Sequence, residues 1–289
     1  MTPFSFHRPA TLDDAVGVLA TAGPDAKIIA GGQSLLLALK ERNARPNSVI
    51  SIADVPGLSG VTETEAGSLE IGPCTTYAKL AKIALPGWHA EIPAVAGNLA
   101  DRSVRSMGTI GGGVCEAGVR FDMPTLLSGL EASFKLTSAR GVRVLNADAF
   151  FNASGGTYIA RDEILTDITV PALPHWSNVA FEKFRFRTFD AAIATVAGAV
   201  LFAPDGTVER LRIVVGGVAK APVVAIGTAN SLKGRSLGAI FLPGVAMRVS
   251  NEVLPPENAV TRGQKYQSEL VISLAARVLT RLSTGVHAS

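Results

Sequence analysis

Ile28-Ile29-Ala30-Gly31-Gly32-Gln33-Ser34 runs from an apolar, extended segment into a double glycine, and the apolar run Leu35–Lys40 follows it. A second small-residue stretch, Gly108-Thr109-Ile110-Gly111-Gly112-Gly113, stands further along the chain. Glycine reaches backbone angles closed to other residues and carries no side chain to hold a ligand away. Successive exposed N–H groups in such turns make concave sites that attract phosphate. Either stretch alone is equally well read as a tight turn. The pair in one chain points to a clasp for the two halves of a dinucleotide.

Outward from the first motif the pattern is that of a small β-α-β unit. Lys27–Ala30 reads as a strand, Ser34 as a cap for a helix over Leu35–Lys40, and Ser48–Ile52 as a second strand beside the first in a local parallel sheet. Upstream, Thr11 followed by Asp13 and Asp14 opens a helix that runs to Gly23-Pro24. Beyond Val55 the order changes to strands at Ser68–Ile71, Ser133–Thr137, Gly141–Asn146 and Ile164–Val170. Between them Thr76 opens a short helix through Leu80 and Ile83. Ile92–Leu99 reads as a helix with Ala94, Val95, Ala96 and Leu99 inward, and Met123–Leu130 as another. The last part reads as antiparallel strands over Phe181–Arg187, Ala194–Phe202 and Val208–Gly216. A Pro204-Asp205-Gly206 turn joins the last two, and an amphipathic helix from Tyr266 to Leu282 closes the chain. The chain is α+β in three pieces, with boundaries expected at 1–54, 55–174 and 175–289.

Composition removes several function classes. The chain has 289 residues, 47% hydrophobic and 18% charged, which suits a globular protein and argues against disorder. A net charge of +3 with scattered lysines and arginines gives no basic stripe for nucleic acid. Ala191–Pro204 is as long as any stretch of the chain without a charge and is too short for a membrane span. Met1–Pro9 has no apolar signal core, so a cytoplasmic protein is expected. Cys74 and Cys115 are the only cysteines, and His7, His89, His175 and His287 are dispersed. The chain is therefore not expected to ligate an iron–sulfur cluster or a zinc ion by itself. No Gly-x-Gly-x-x-Gly and no Walker loop is present, and no Ser/His/Asp grouping stands out. The acidic pairs Asp13-Asp14 and Asp162-Glu163 read as solvated faces, because adjacent side chains diverge.

Ala30-Gly31-Gly32-Gln33-Ser34-Leu35-Leu36 after a strand, then Thr109-Ile110-Gly111-Gly112 followed by Asp122-Met123-Pro124, resembles the FAD-binding medium subunit of molybdenum hydroxylases. Carbon monoxide dehydrogenase-like and xanthine dehydrogenase-like enzymes make up this family. The likeness extends to Phe4–Ala15, to Ser51–Leu58, to Phe181–Arg187 and to Val215–Pro222. It implies a two-part FAD-binding domain of the vanillyl-alcohol-oxidase (PCMH) type, followed by an α+β CO dehydrogenase flavoprotein C-terminal domain.

The resemblance implies an FAD-dependent oxidoreductase subunit. A separate molybdopterin-binding large subunit would oxidise the substrate. A [2Fe-2S] small subunit would pass electrons to FAD, which delivers them to quinone, NAD or oxygen. Ala30, Gly31, Gly32, Gln33 and Ser34 would hold the FAD pyrophosphate, and Thr109, Ile110, Gly111, Gly112 and Gly113 would form a second loop facing phosphate and flavin. Asp122 would accept hydrogen bonds from the ribityl chain, though a helix N-cap is an equally sound reading of that residue. Lys183 would reach the flavin from the C-terminal part. Relative to the family pattern, Gly113–Phe121 has an extra glycine and lacks a proline, which predicts a loosened loop. Glu116 would bring a negative charge near the diphosphate, which is unfavourable unless Arg120 or Arg105 offsets it, and Phe189 could supply a ring beside Asp190. The two other readings are a stand-alone flavoenzyme acting on a small organic molecule and a flavin-free paralogue whose glycines persist only as turns.

Overall fold

A computed structural model describes residues 3–172, 175–254 and 262–284, and among these three sheets form. The first unit holds β1 (Ser5–His7), α1 (Leu12–Thr21), β2 (Lys27–Ile29), α2 (Leu35–Lys40) and β3 (Ser48–Ser51). Its strands are parallel in the order β1-β3-β2, as a β-α-β connection requires. Thr11 caps α1 by accepting from the Asp14 N–H. Ala15, Val16 and Leu19 of that helix pack on Ile50 and Ile52. Ser34 precedes α2 as expected but makes no side-chain capping bond.

The second unit contains β4 (Val61–Glu63), β5 (Leu69–Ile71), α3 (Tyr77–Leu80), a 3-10 turn at Gly87–Ala90, α4 (Glu91–Gly97), α5 (Arg102–Met107), α6 (Ile110–Glu116), α7 (Asp122–Gly129), β6 (Ser133–Ser138), β7 (Gly141–Asn146), α8 (Ala147–Phe150) and β8 (Ile164–Val170). Its antiparallel sheet has the order β4-β5-β8-β6-β7. The third unit contains β9 (Asn178–Phe184), β10 (Ala194–Phe202), β11 (Val208–Gly216), β12 (Val223–Val224), α9 (Ile226–Asn230), a 3-10 turn at Leu237–Ala239, α10 (Leu242–Val253) and α11 (Arg262–Thr284). Its antiparallel sheet has the order β12-β11-β10-β9.

Four expectations change. Glycines 111–113 lie within α6, capped by Thr109, so the expected loosened loop is helical from Gly113 to Glu116 and leaves the helix only from Ala117 to Phe121. The strand expected to reach Arg187 ends at Phe184. Ala94 faces solvent, not the core. Glu163 is not on a solvated face: it is 5% exposed, and its carboxylate takes two bonds from Arg143 at 2.6 and 2.8 Å. That pairing holds the Glu163 carboxyl below its ordinary range despite the opposing effect of burial.

The third sheet is covered on both faces, and the period-2 alternation of strand side chains divides its residues between two cores. Val179, Phe181, Ala197, Ala199 and Val214 face the core of the second unit. Ala180, Val196, Val200, Ile213 and Val215 face α9, α10 and α11. This double burial explains the charge-free run through β10. Helix α7 is enclosed along its whole length, with all of its residues buried, and it joins the second unit to this sheet. Inside that contact the Thr195 hydroxyl donates to the Thr125 hydroxyl at 2.9 Å. Among the described residues no helix is long and apolar enough to cross a membrane.

Removing one partner of a buried hydrogen bond leaves the other desolvated and unpaired, at a cost of roughly 1–3 kcal/mol. Thr125→Val is therefore expected to lower the denaturant midpoint, and Thr125→Val with Thr195→Val to regain most of the loss. An unchanged midpoint in the single variant would remove this bond from the account.

Candidate functional site

The two glycine motifs, distant in sequence, touch in the fold. A Cβ on Gly31 would collide with the carbonyl oxygen of Met107 and lie 3.0 Å from Gly108 Cα. A Cβ on Gly111 would collide with Pro73. These are close-approach positions that admit no side chain. Gly32 has φ +71°, the left-handed region in which an L side chain is strained, so the turn after β2 depends on a glycine at that position.

The backbone N–H groups of the two motifs have different fates. Those of Gly31, Gly32, Gln33 and Ser34 donate to no backbone carbonyl among the described residues. Gly31, Gly32 and Ser34 are partly exposed and Gln33 is exposed. In the second motif the donors are used by the fold itself. Ile110 donates to Thr75 O at 3.0 Å, Gly111 to Pro73 O at 2.8 Å and Gly113 to Thr109 O at 3.1 Å, while Gly112 donates to the Thr109 hydroxyl at 3.1 Å. Thr109, Ile110 and Gly111 are buried, and Gly112 and Gly113 remain accessible. The first motif thus offers a run of donors, and the second a smooth, closely packed wall.

Asp122 and Lys183, the two charged residues expected at the site, form an ion pair of 2.5 Å, with side chains only 5% and 10% exposed. Asp122 is the first residue of α7, whose N-cap is Phe121, so the capping reading of Asp122 does not hold. Burial pushes the Asp122 carboxyl above its ordinary range, and the neighbouring Lys183 ammonium opposes that shift without cancelling it. Lys183 also donates to Asn98 O at 2.8 Å. Arg185 joins it with bonds to the Asn98 backbone and side-chain oxygens at 3.0 and 2.8 Å.

Arg105 donates to the carbonyls of Leu99 and Ala100 at 2.8 and 2.7 Å. Three cations therefore hold the turn after α4, where Ala100 sits at φ +42°. Arg120 donates to the carbonyls of Ala191 and Ala192, both at 3.0 Å, and so anchors the loop that follows β9. Arg105 and Arg120 are both engaged with these carbonyls, and among the described residues neither forms an ion pair with Glu116. Phe189, on the anchored loop, is exposed.

The site contains residues that sequence reasoning did not single out. Tyr77 opens α3, and its hydroxyl abuts Gly113. Asn98 and Arg185 complete the polar network around Lys183. A tyrosine in a short apolar helix and an asparagine after a helix carry no sequence signal that separates a site role from packing. Among the described residues no group of three or more His, Cys, Asp or Glu side chains is placed to hold a metal ion.

Removing one partner of a buried ion pair leaves an uncompensated charge, at a cost of about 3–5 kcal/mol. Lys183→Met is expected to lose stability of that order at neutral pH. An acid whose folded pKa lies above its unfolded one binds more protons when folded, so the protein loses stability as pH rises between the two values. Without Lys183 the Asp122 pKa rises further, and the deficit of the variant should shrink as pH is lowered from 7 to 5. Urea unfolding of both proteins at the two pH values checks this, and a deficit that grows on acidification would contradict it.

Residues 2–173 match the FAD binding domain in molybdopterin dehydrogenase, and residues 179–282 match the CO dehydrogenase flavoprotein C-terminal domain. The carbon monoxide dehydrogenase medium chain of Hydrogenophaga pseudoflava is 35% identical over 236 residues, covering 81% of each chain. The nicotine 6-hydroxylase medium subunit of Paenarthrobacter nicotinovorans is 36% identical over 214 residues, covering 73% of this chain and 74% of that one. The solved carbon monoxide dehydrogenase of H. pseudoflava contains a chain that superposes with a TM-score of 0.87 at 28% identity, covering 99% of both chains. With the two domains matched in order, and relatives alike over most of their length, the chain belongs to the FAD-binding medium-subunit family of molybdopterin dehydrogenases.

Proposed function

We propose that FAD lies where the two glycine motifs meet, in the FAD-binding subunit of a molybdenum-containing dehydrogenase or hydroxylase. The observation that carries this reading is the run of N–H groups over Gly31, Gly32, Gln33 and Ser34, beside Met107 and Gly108, that have no acceptor among the described residues. A diphosphate is a dense set of acceptors with negative charge and suits such a run. Ala30 follows the strand that aims the turn, and the Ser34 hydroxyl, free of capping duty, is available as a further donor.

Thr109, Ile110 and Gly111 support the second wall from within the core, and Gly112 and Gly113 present it to the cofactor. Asp122 accepts hydrogen bonds from sugar or ribityl hydroxyls through the lone pairs that Lys183 does not use. Lys183 favours the ionised form of that carboxylate against the effect of burial and ties the third unit to the site. In this reading residues 1–54 and 55–174 enclose the cofactor, and 175–289 close the site from the other side.

When bound, FAD supplies the exchange between single-electron [2Fe-2S] centres and the final acceptor. The residues of this chain bind and orient the cofactor, and none needs to act as an acid or base. The proposed partners are a molybdopterin-binding large subunit and a [2Fe-2S] small subunit, and the proposed compartment is the cytoplasm.

The test is the visible absorption spectrum of the purified chain after incubation with FAD and desalting, for the wild type and Gly32→Val. The wild type is expected to retain the flavin spectrum, and the variant to lose it while keeping native circular dichroism. Full flavin occupancy in Gly32→Val would overturn the assignment of the first motif.

A further inference from the structure

Tyr77 carries a polar group of the site that has no hydrogen-bond partner among the described residues. Its backbone is fixed: the N–H donates to Gly108 O at 3.0 Å, and the Thr76 hydroxyl caps the helix that Tyr77 begins. Its ring lies along the second glycine motif. A Cβ on Gly108 would stand 3.3 Å from Tyr77 Cδ2, and a Cβ on Gly113 would collide with the Tyr77 hydroxyl while standing 3.5 Å from Cζ. The hydroxyl therefore fills the space a side chain at position 113 would need.

The residue is only 5% exposed. Its Oη nevertheless makes no hydrogen bond among the described residues, and the nearby Asp122 carboxylate is bonded to Lys183. Among the described residues the buried side-chain polar atoms left without a partner are Trp88 Nε1 and Trp176 Nε1, so the unbonded Tyr77 hydroxyl reaches the surface of the cleft, where a ligand can accept from it. Burial, and then the charge of Asp122, push the Tyr77 pKa well above its ordinary value, so the group stays protonated and keeps its donor hydrogen.

We infer that Tyr77 is a further cofactor-binding residue, whose Oη donates a hydrogen bond to FAD where the cofactor passes Gly113. The inference rests on the placement of FAD across the two glycine motifs proposed above. It gives the third glycine of the second motif a specific purpose, which is to leave room for the phenol tip.

The test is Tyr77→Phe in the full-length chain, stripped of flavin and titrated with FAD by fluorescence, beside the wild type and Gly32→Val. One lost hydrogen bond weakens binding by up to about tenfold. The expected result is a Kd for Tyr77→Phe that rises about five- to tenfold, with a flavin-free melting temperature equal to the wild type or higher. A Kd within about twofold of the wild type would overturn the inference. So would a lowered flavin-free melting temperature, which would reveal an internal partner for the hydroxyl. If the wild type binds and Gly32→Val does not, while Tyr77→Phe binds like the wild type, only the role of Tyr77 fails. If the wild type does not bind FAD, the placement fails and this inference falls with it.

A second pair of variants tests the position of the hydroxyl. Gly113→Ala is expected to lower the melting temperature in the tyrosine background and not in the Tyr77→Phe background, where the collision is relieved. An equal effect in both backgrounds would place the hydroxyl elsewhere and overturn the inference.

Discussion

The close approach of two backbones organises this molecule: Gly31 against Met107 and Gly108. No side chain fits between them, so the turn after β2 is pressed onto the end of α5 and the start of α6. The same contact sets the first unit on the second. It also decides which N–H groups the fold uses. Around α6 the donors close onto Pro73, Thr75 and Thr109, which makes that side rigid. Over Gly31 to Ser34 no backbone partner stands among the described residues, and this asymmetry gives the cleft a donor side and a wall side.

The third unit is tied to the same place by burial and charge together. Helix α7 lies wholly inside, between the helices of the second unit and the strands β10 and β11. Its first residue is Asp122, and the partner of Asp122 comes from β9 of the third unit. A buried ion pair contributes little net stability against an apolar replacement, because desolvation offsets most of the attraction. Its effect here is positional. Lys183 bridges Asp122 and Asn98 O, and Arg185 and Arg105 hold the remainder of that turn. Two cations from β9 or the loop just after it thus fix the edge of a cleft built by the other units.

Local patterns were readable from sequence where local physics decides the structure. The β2-turn-α2 unit, the cap at Thr11, the hairpin at Pro204–Gly206 and the stripe of α11 all follow from short-range periodicity or turn chemistry. The glycine motifs, Asp122 and Lys183 were legible through their residue types and a family likeness. Helix α6 was not, because consecutive glycines are among the poorest helix formers. Packing overrides that preference, since Gly111 and Gly113 must meet Pro73 and Tyr77 without a Cβ. Asp122 looked like a cap because acidic residues favour helix starts, yet its carboxylate is taken by a lysine 61 residues away. The donors of the second motif were read as free for a ligand, and only the fold could show that Pro73, Thr75 and Thr109 accept them. Tyr77 and Asn98 gain meaning only from the elements brought beside them.

The central claim is that the unbonded N–H groups of the first motif receive the cofactor diphosphate. Hydrogen exchange at the backbone amides of Gly31 to Ser34, measured with and without FAD, tests it most directly, because exchange reports the bonding of each amide. The account predicts exchange that slows at these amides when FAD is bound, with little change at Ile110 to Gly113, whose donors are already occupied. Unchanged exchange at Gly31 to Ser34 in a chain that carries FAD would contradict it.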